Sequence, residues 1–91
     1  MASNFRVSVY RNSDNLHLKL FGDFDGTSAH ELLNALKRHS EGTYKVFIHT
    51  NCLKHIHSFG CNVFHSHLNS IKNKSTQLVF TGEKANQMTP Y

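Results

Sequence analysis

Two runs of alternating apolar and polar residues, Phe5-Arg6-Val7-Ser8-Val9-Tyr10-Arg11 and Leu16-His17-Leu18-Lys19-Leu20, flank the turn-forming stretch Asn12-Ser13-Asp14-Asn15. No other feature constrains the chain as much. Period-two alternation puts the apolar side chains of a strand on one face, so the segment reads as a β-hairpin with a single buried face. Whatever covers that face must come from the rest of the chain.

The period then changes. Gly22-Asp23-Phe24-Asp25-Gly26 interrupts the alternation, and over residues 27–39 Ala29, Leu32, Leu33 and Leu36 recur at helical spacing. Asp25, Thr27 or Ser28 can cap this first helix, Ser28-x-x-Glu31 fits a capping box, and Lys37, Arg38 and Gly42 mark its end. Tyr44-Lys45-Val46-Phe47-Ile48-His49 reads as a strand and Thr50 to Ile56 as a loop. From Ser58 onward, Cys61, Phe64, Leu68 and Ile71 form the stripe of a second helix ending near Asn73-Lys74. Gln77-Leu78-Val79-Phe80-Thr81 is a further strand, and residues 82–91 form a polar tail. The order β-β-α-β-α-β predicts an α/β domain: a mixed four-stranded sheet with both helices packed on one face, since successive strand–helix–strand crossovers share one hand. The opposite face is left comparatively bare.

A chain of 91 residues predicts one domain (residues 1–91, core 5–82, tail 83–91). A chain this short buries only about 60–65% of its unfolded surface, which excludes a second core and a deep enclosed cleft. No run of about 18 apolar residues and no charged segment followed by an apolar stretch is found, so the expectation is a soluble, cytoplasmic protein without a membrane partner. Cys52 and Cys61 make no C-x-x-C pair and read as free thiols. The formal net charge is +4, but the ten Lys and Arg residues are spread along the chain, with Lys37-Arg38 and Lys72/Lys74 at helix ends. The sequence therefore predicts no nucleic-acid partner.

Three segments, in this order and spacing, resemble the STAS domain, the family of bacterial anti-sigma factor antagonists and sulfate-transporter tails. They are Leu18-Lys19-Leu20-Phe21-Gly22-Asp23-Phe24-Asp25-Gly26-Thr27-Ser28-Ala29, then Val46-Phe47-Ile48-His49 through Leu53 and Ile56, then His57-Ser58-Phe59-Gly60. The last stands where the family has Asp-Ser-Ser-Gly, so His57 and Phe59 depart from the pattern. The resemblance implies a non-enzymatic switch without a cofactor. A partner kinase, itself an anti-sigma factor, phosphorylates the serine at the start of the second helix, and a phosphatase removes the phosphate. By position that serine is Ser58. The acidic loop of such domains lies near the serine and takes part in docking, which carries Asp23 and Asp25 over as partner contacts. The expected binding surface comprises residues 22–27 with Thr27, residues 52–59 with His57 and Phe59, and the second helix around Asn62, His65 and Ser66.

Each of these residues also has a plainer reading. Ser58 at a helix start can simply cap it, which is worth roughly 0.5–2 kcal/mol, and Asp25 can cap the first helix while Asp23 stays solvated. As an acid/base pair Asp23 and Asp25 lack a cleft. Adjacent residues such as His57 and Ser58 aim apart at a helix entry, and no Gly-rich phosphate loop is present, so no catalysis is expected. Among the eight histidines, His57 and His65 bracket Cys61 at i, i+4 and i+8, a row that can ligate a metal; against it, Cys61 belongs to the apolar stripe. Three alternatives thus stand beside the switch: a STAS-like docking subunit that is never phosphorylated, a His/Cys metal-binding domain, and nucleic-acid binding through the basic surface with steeply salt-dependent affinity, which the even spread of the cations disfavours. If the sheet ends at Thr81, its open edge is a candidate for weak homodimerisation.

Overall fold

The computed structural model describes residues 4–39, 42–71 and 77–88. Strand β1 (Arg6–Asn12) pairs antiparallel with β2 (Asn15–Phe24), from Arg6↔Phe21 to Asn12↔Asn15. Ser13 opens the tight turn between them with φ 55°, the positive sign that two-residue hairpin turns use to match strand twist. Strands β3 (Lys45–Ile56) and β4 (Gln77–Thr81) then add in parallel, giving the order β1-β2-β3-β4 and a mixed sheet.

Strand parity decides where the core sits. Leu16, Leu18, Leu20 and Phe24 of β2 lie on the same face as Val46, Ile48 and Leu53 of β3, and all are buried. Helix α1 (Gly26–His39) covers them with Ala29, Leu32, Leu33 and Leu36, and helix α2 (Ser58–Ile71) with Cys61, Phe64 and Leu68. Phe64 meets Phe24 and Phe80 edge-on, at centroid distances of 6.3 and 6.1 Å. Each fully buried leucine contributes about 1.5–3 kcal/mol against the exposed side chain. Among the described residues no helix covers the other face, as the alternation predicts.

The structure corrects three boundaries. Strand β2 does not stop at Leu20: it runs on through Gly22 and Asp23, with Phe24 fully buried. Residues 50–56 are not a loop. They pair with β2 as Phe21↔Cys52, Gly22↔Leu53, Asp23↔His55 and Phe24↔Ile56, and two register shifts absorb the irregular pattern. Nor is the end of the chain an unstructured tail. A single turn, α3 (Ala85–Met88), sinks Met88 fully into the core. The expected end of α2 at Asn73-Lys74 lies outside the described residues. Among the described residues, no helix is long and apolar enough to cross a membrane.

Candidate functional site

Parallel strands β2 and β3 end side by side at Phe24 and Ile56, and a helix starts directly after each. In open α/β sheets this carboxyl end of the strands is where sites form. The two helix starts are tied together, because the backbone N–H of His57 donates to the Phe24 carbonyl at 2.9 Å.

Helix α1 is capped by Asp25. Its carbonyl accepts the first helical bond, from Ala29 N–H (2.9 Å), and its Oδ1 accepts from Ser28 N–H (2.9 Å). Thr27 and Ser28 therefore lie inside the helix, and Ser28 does not form a capping box with the exposed Glu31. Instead the buried Ser28 hydroxyl sits 2.9 Å from both Asp25 Oδ1 and the Asp23 carbonyl, so its proton serves one strand-end and one cap acceptor. The bonds from Ser28, its backbone N–H first, hold the Asp25 carboxyl below the usual carboxylate range; partial burial opposes them and the nearby His57 adds a smaller pull. Asp23 is not a fully solvated charge, since its Oδ1 is buried without a hydrogen-bond partner among the described residues.

Helix α2 begins differently. Cys61 N–H donates to the His57 carbonyl at 3.2 Å, so His57 takes the cap position and Ser58 is the first helical residue. Ser58 is thus not the cap. Its side chain is exposed, as are those of its neighbours His57 and Phe59, the latter at 68%. The first turn of α2 contains no acidic residue. Gly60 in that turn is buried against Asp25, and Gly26 leaves room for the Phe59 ring, whose edge would lie 2.9 Å from a Cβ placed there.

A shallow groove of about 420 Å³ runs along α2 from this point, lined by Ile56, Ser58, Cys61, Asn62, His65 and Gln87. Of the predicted surface, Ser58, Asn62 and His65 share this groove, and Ser66 is exposed further along α2. Thr27, His57 and Phe59 are exposed at the two helix starts but do not line the groove, the Phe59 ring lying instead against Gly26, and Asp23 is set back on β2. The row His57, Cys61, His65 does not converge. The Cys61 thiol donates to the Gln87 carbonyl at 3.4 Å and His65 Nε2–H to the Met88 carbonyl at 2.7 Å, so both side chains pin α3 in place. Burial pushes the Cys61 thiol pKa up, away from the thiolate a metal needs. Among the described residues no three His, Cys, Asp or Glu side chains group as metal ligands.

Sequence reasoning misses Gly60, Ser28 and Gln87 as parts of this site. The signal for the first is its place as the glycine closing the His57-Ser58-Phe59-Gly60 motif, which leaves its packing role unstated; the other two depend on register shifts and a turn that leave no periodic trace.

No family model and no curated protein matches the sequence. Solved structures do. The chain is similar to an anti-sigma factor antagonist STAS domain from Rhodobacter sphaeroides (TM-score 0.71, 13% identity, 97% of this chain and 98% of that one). It is also similar to the anti-sigma factor antagonist SpoIIAA in its unphosphorylated form (TM-score 0.63, 11% identity, 96% and 84%). Against Mglu the TM-score is 0.73 at 18% identity over 85% of this chain, which spans only 19% of the Mglu chain. At these identities the likeness is one of fold, and by fold this chain is a STAS-like, SpoIIAA-type domain over nearly its whole length.

Proposed function

We propose that this chain is a regulatory docking module of the anti-sigma factor antagonist kind, acting by binding rather than by catalysis and working in the cytoplasm. The observation that carries the reading is the exposed Ser58 at the first position of α2, tied to the β2–α1 turn through the His57–Phe24 hydrogen bond. A partner of the anti-sigma kinase type binds the groove along α2 and the turn at its head, with Phe59 as an apolar anchor and nucleotide held by the partner. Phosphate on Ser58 adds a charge of about −1.5 to −2 at the positive end of a helix whose first turn lacks acidic residues. That charge sits on the contact surface and weakens docking until a phosphatase removes it.

The test is incubation with ATP and the anti-sigma kinase of the same cell, followed by intact-mass spectrometry. One added phosphate that is lost in Ser58→Ala supports the switch. Complex formation without any added phosphate supports a docking subunit that is never phosphorylated, and neither binding nor modification overturns the reading.

A further inference from the structure

The face of the sheet that the helices leave open has a composition that the sequence order conceals. Strand parity sends Arg6, Ser8 and Tyr10 of β1, His17, Lys19 and Phe21 of β2, and Lys45, Phe47 and His49 of β3 to this side. Cations that are scattered along the chain share one face here. Lys45, Lys19 and Arg6 run diagonally across three adjacent strands, a path of roughly 20 Å at 3.3 Å per residue and 4.8 Å per strand. Between them lie rings: Tyr10 is 62% exposed, His17 lies against Phe47 with centroids 4.8 Å apart and planes 12° apart, and Arg6 sits 5.7 Å over Phe21. His17 Nδ1 and His49 Nε2 are 3.0 Å apart, and His49 Nδ1 reaches Thr81 Oγ1 at 2.7 Å, which fixes both rings. Tyr10, His17, Lys19, His49 and Ser8 enclose a shallow depression of about 420 Å³. Asp23 stands at the far end of β2, opposite His55.

We propose that this open face binds single-stranded nucleic acid, with the exposed Tyr10 ring stacking on a base, the mutually stacked His17, Phe47 and His49 rings forming the floor beside it, and Arg6, Lys19 and Lys45 meeting the phosphates. The chemistry needed is a ligand with both regular negative charge and flat aromatic groups. Stacking on rings set in a basic sheet surface tolerates any base, because every base has a π-face. An acidic peptide matches the charge but leaves the rings without partners. Duplex DNA keeps its bases stacked inside, so it likewise meets only the cations. Ser58 lies on the helix side at the end of β3, apart from this surface.

The test is fluorescence anisotropy of the full chain with a labelled single-stranded 12-mer (dT and rU), a 12-bp duplex and a polyglutamate peptide of equal length, over a salt series. Expected are binding of the single strands at least tenfold tighter than of the duplex or the peptide, and a slope of log affinity against log salt near −2, from three phosphates at about 0.7 each. Tyr10→Ala weakens single-strand binding about fivefold or more, Lys19→Glu weakens it and flattens the slope, and Ser58→Ala leaves it unchanged, all with unaltered circular dichroism. Absence of single-strand binding at low salt, equal binding of duplex or peptide, or indifference to both Tyr10→Ala and Lys19→Glu overturns the proposal.

Discussion

Gly60 lies directly against the backbone of Asp25: a Cβ on Gly60 would stand 2.7 Å from the Asp25 carbonyl oxygen and 2.8 Å from its carbon. These two residues weld the starts of α1 and α2 together, and backbone on both sides leaves nothing soft to yield. Gly60→Ala is expected to destabilise the domain by about 1–3 kcal/mol, the range for overpacking, read as a lowered urea midpoint. Gly26→Ala meets only the edge of the exposed Phe59 ring, which can swing away, so its midpoint should fall less. Equal losses would refute the account of this junction.

Removing the α1 cap isolates a second contribution. Asp25→Ala is expected to cost about 0.5–2 kcal/mol at pH 7. Because the folded-state pKa of Asp25 lies below its ordinary 3.8, its share of stability is complete above that value and disappears as pH falls through the folded-state value. Urea midpoints of wild type and variant should therefore converge below about pH 3.8 and stand apart at neutral pH.

His49 supplies a test of the open face. Burial first, then His17 and Lys19, push its pKa below 6.5. A base with a depressed folded-state pKa stabilises the fold above the ordinary value and loses that contribution as pH falls through the lower one. An NMR titration should find His49 protonating below 6.5, and His17→Ala should move it back toward that value. A midpoint at or above 6.5 in the wild type would contradict the packing described.

The two thiols should separate cleanly. Cys52 is exposed, whereas Cys61 is buried, donates to Gln87 and has its pKa raised by burial. Iodoacetamide at neutral pH is expected to label Cys52 quickly and Cys61 only on the timescale of opening around α3. Truncation before residue 85 removes that cover and should bring the two rates together.

Much of this architecture is legible in the chain. Leucines 16, 18 and 20 announce a one-faced strand, and Ala29, Leu32, Leu33 and Leu36 the helix that covers it, because burial imposes its period on the sequence. The second half of β3 is not legible: Asn51, Lys54 and His55 are polar and exposed, and only pairing with a bulged β2 shows that their backbone is a strand. Met88 is equally silent, since a lone apolar residue in a polar tail has no periodicity to reveal burial. At the site, Ser58 stands out through its resemblance to a known motif, and Asp25 through general capping chemistry. The Ser28 hydroxyl and Gly60 act through contacts between segments far apart in sequence, which no local pattern encodes.

The central claim is that partners engage the head of α2 and the turn beside it. Chemical-shift mapping of the ¹⁵N-labelled chain on titration with the anti-sigma kinase of the same cell tests it most directly. The account predicts perturbations gathered at Asp25 to Thr27, His57 to Asn62 and His65, all weakened in Ser58→Asp. Perturbations confined to the sheet face around Tyr10 and Lys19, or identical maps for wild type and Ser58→Asp, would contradict it.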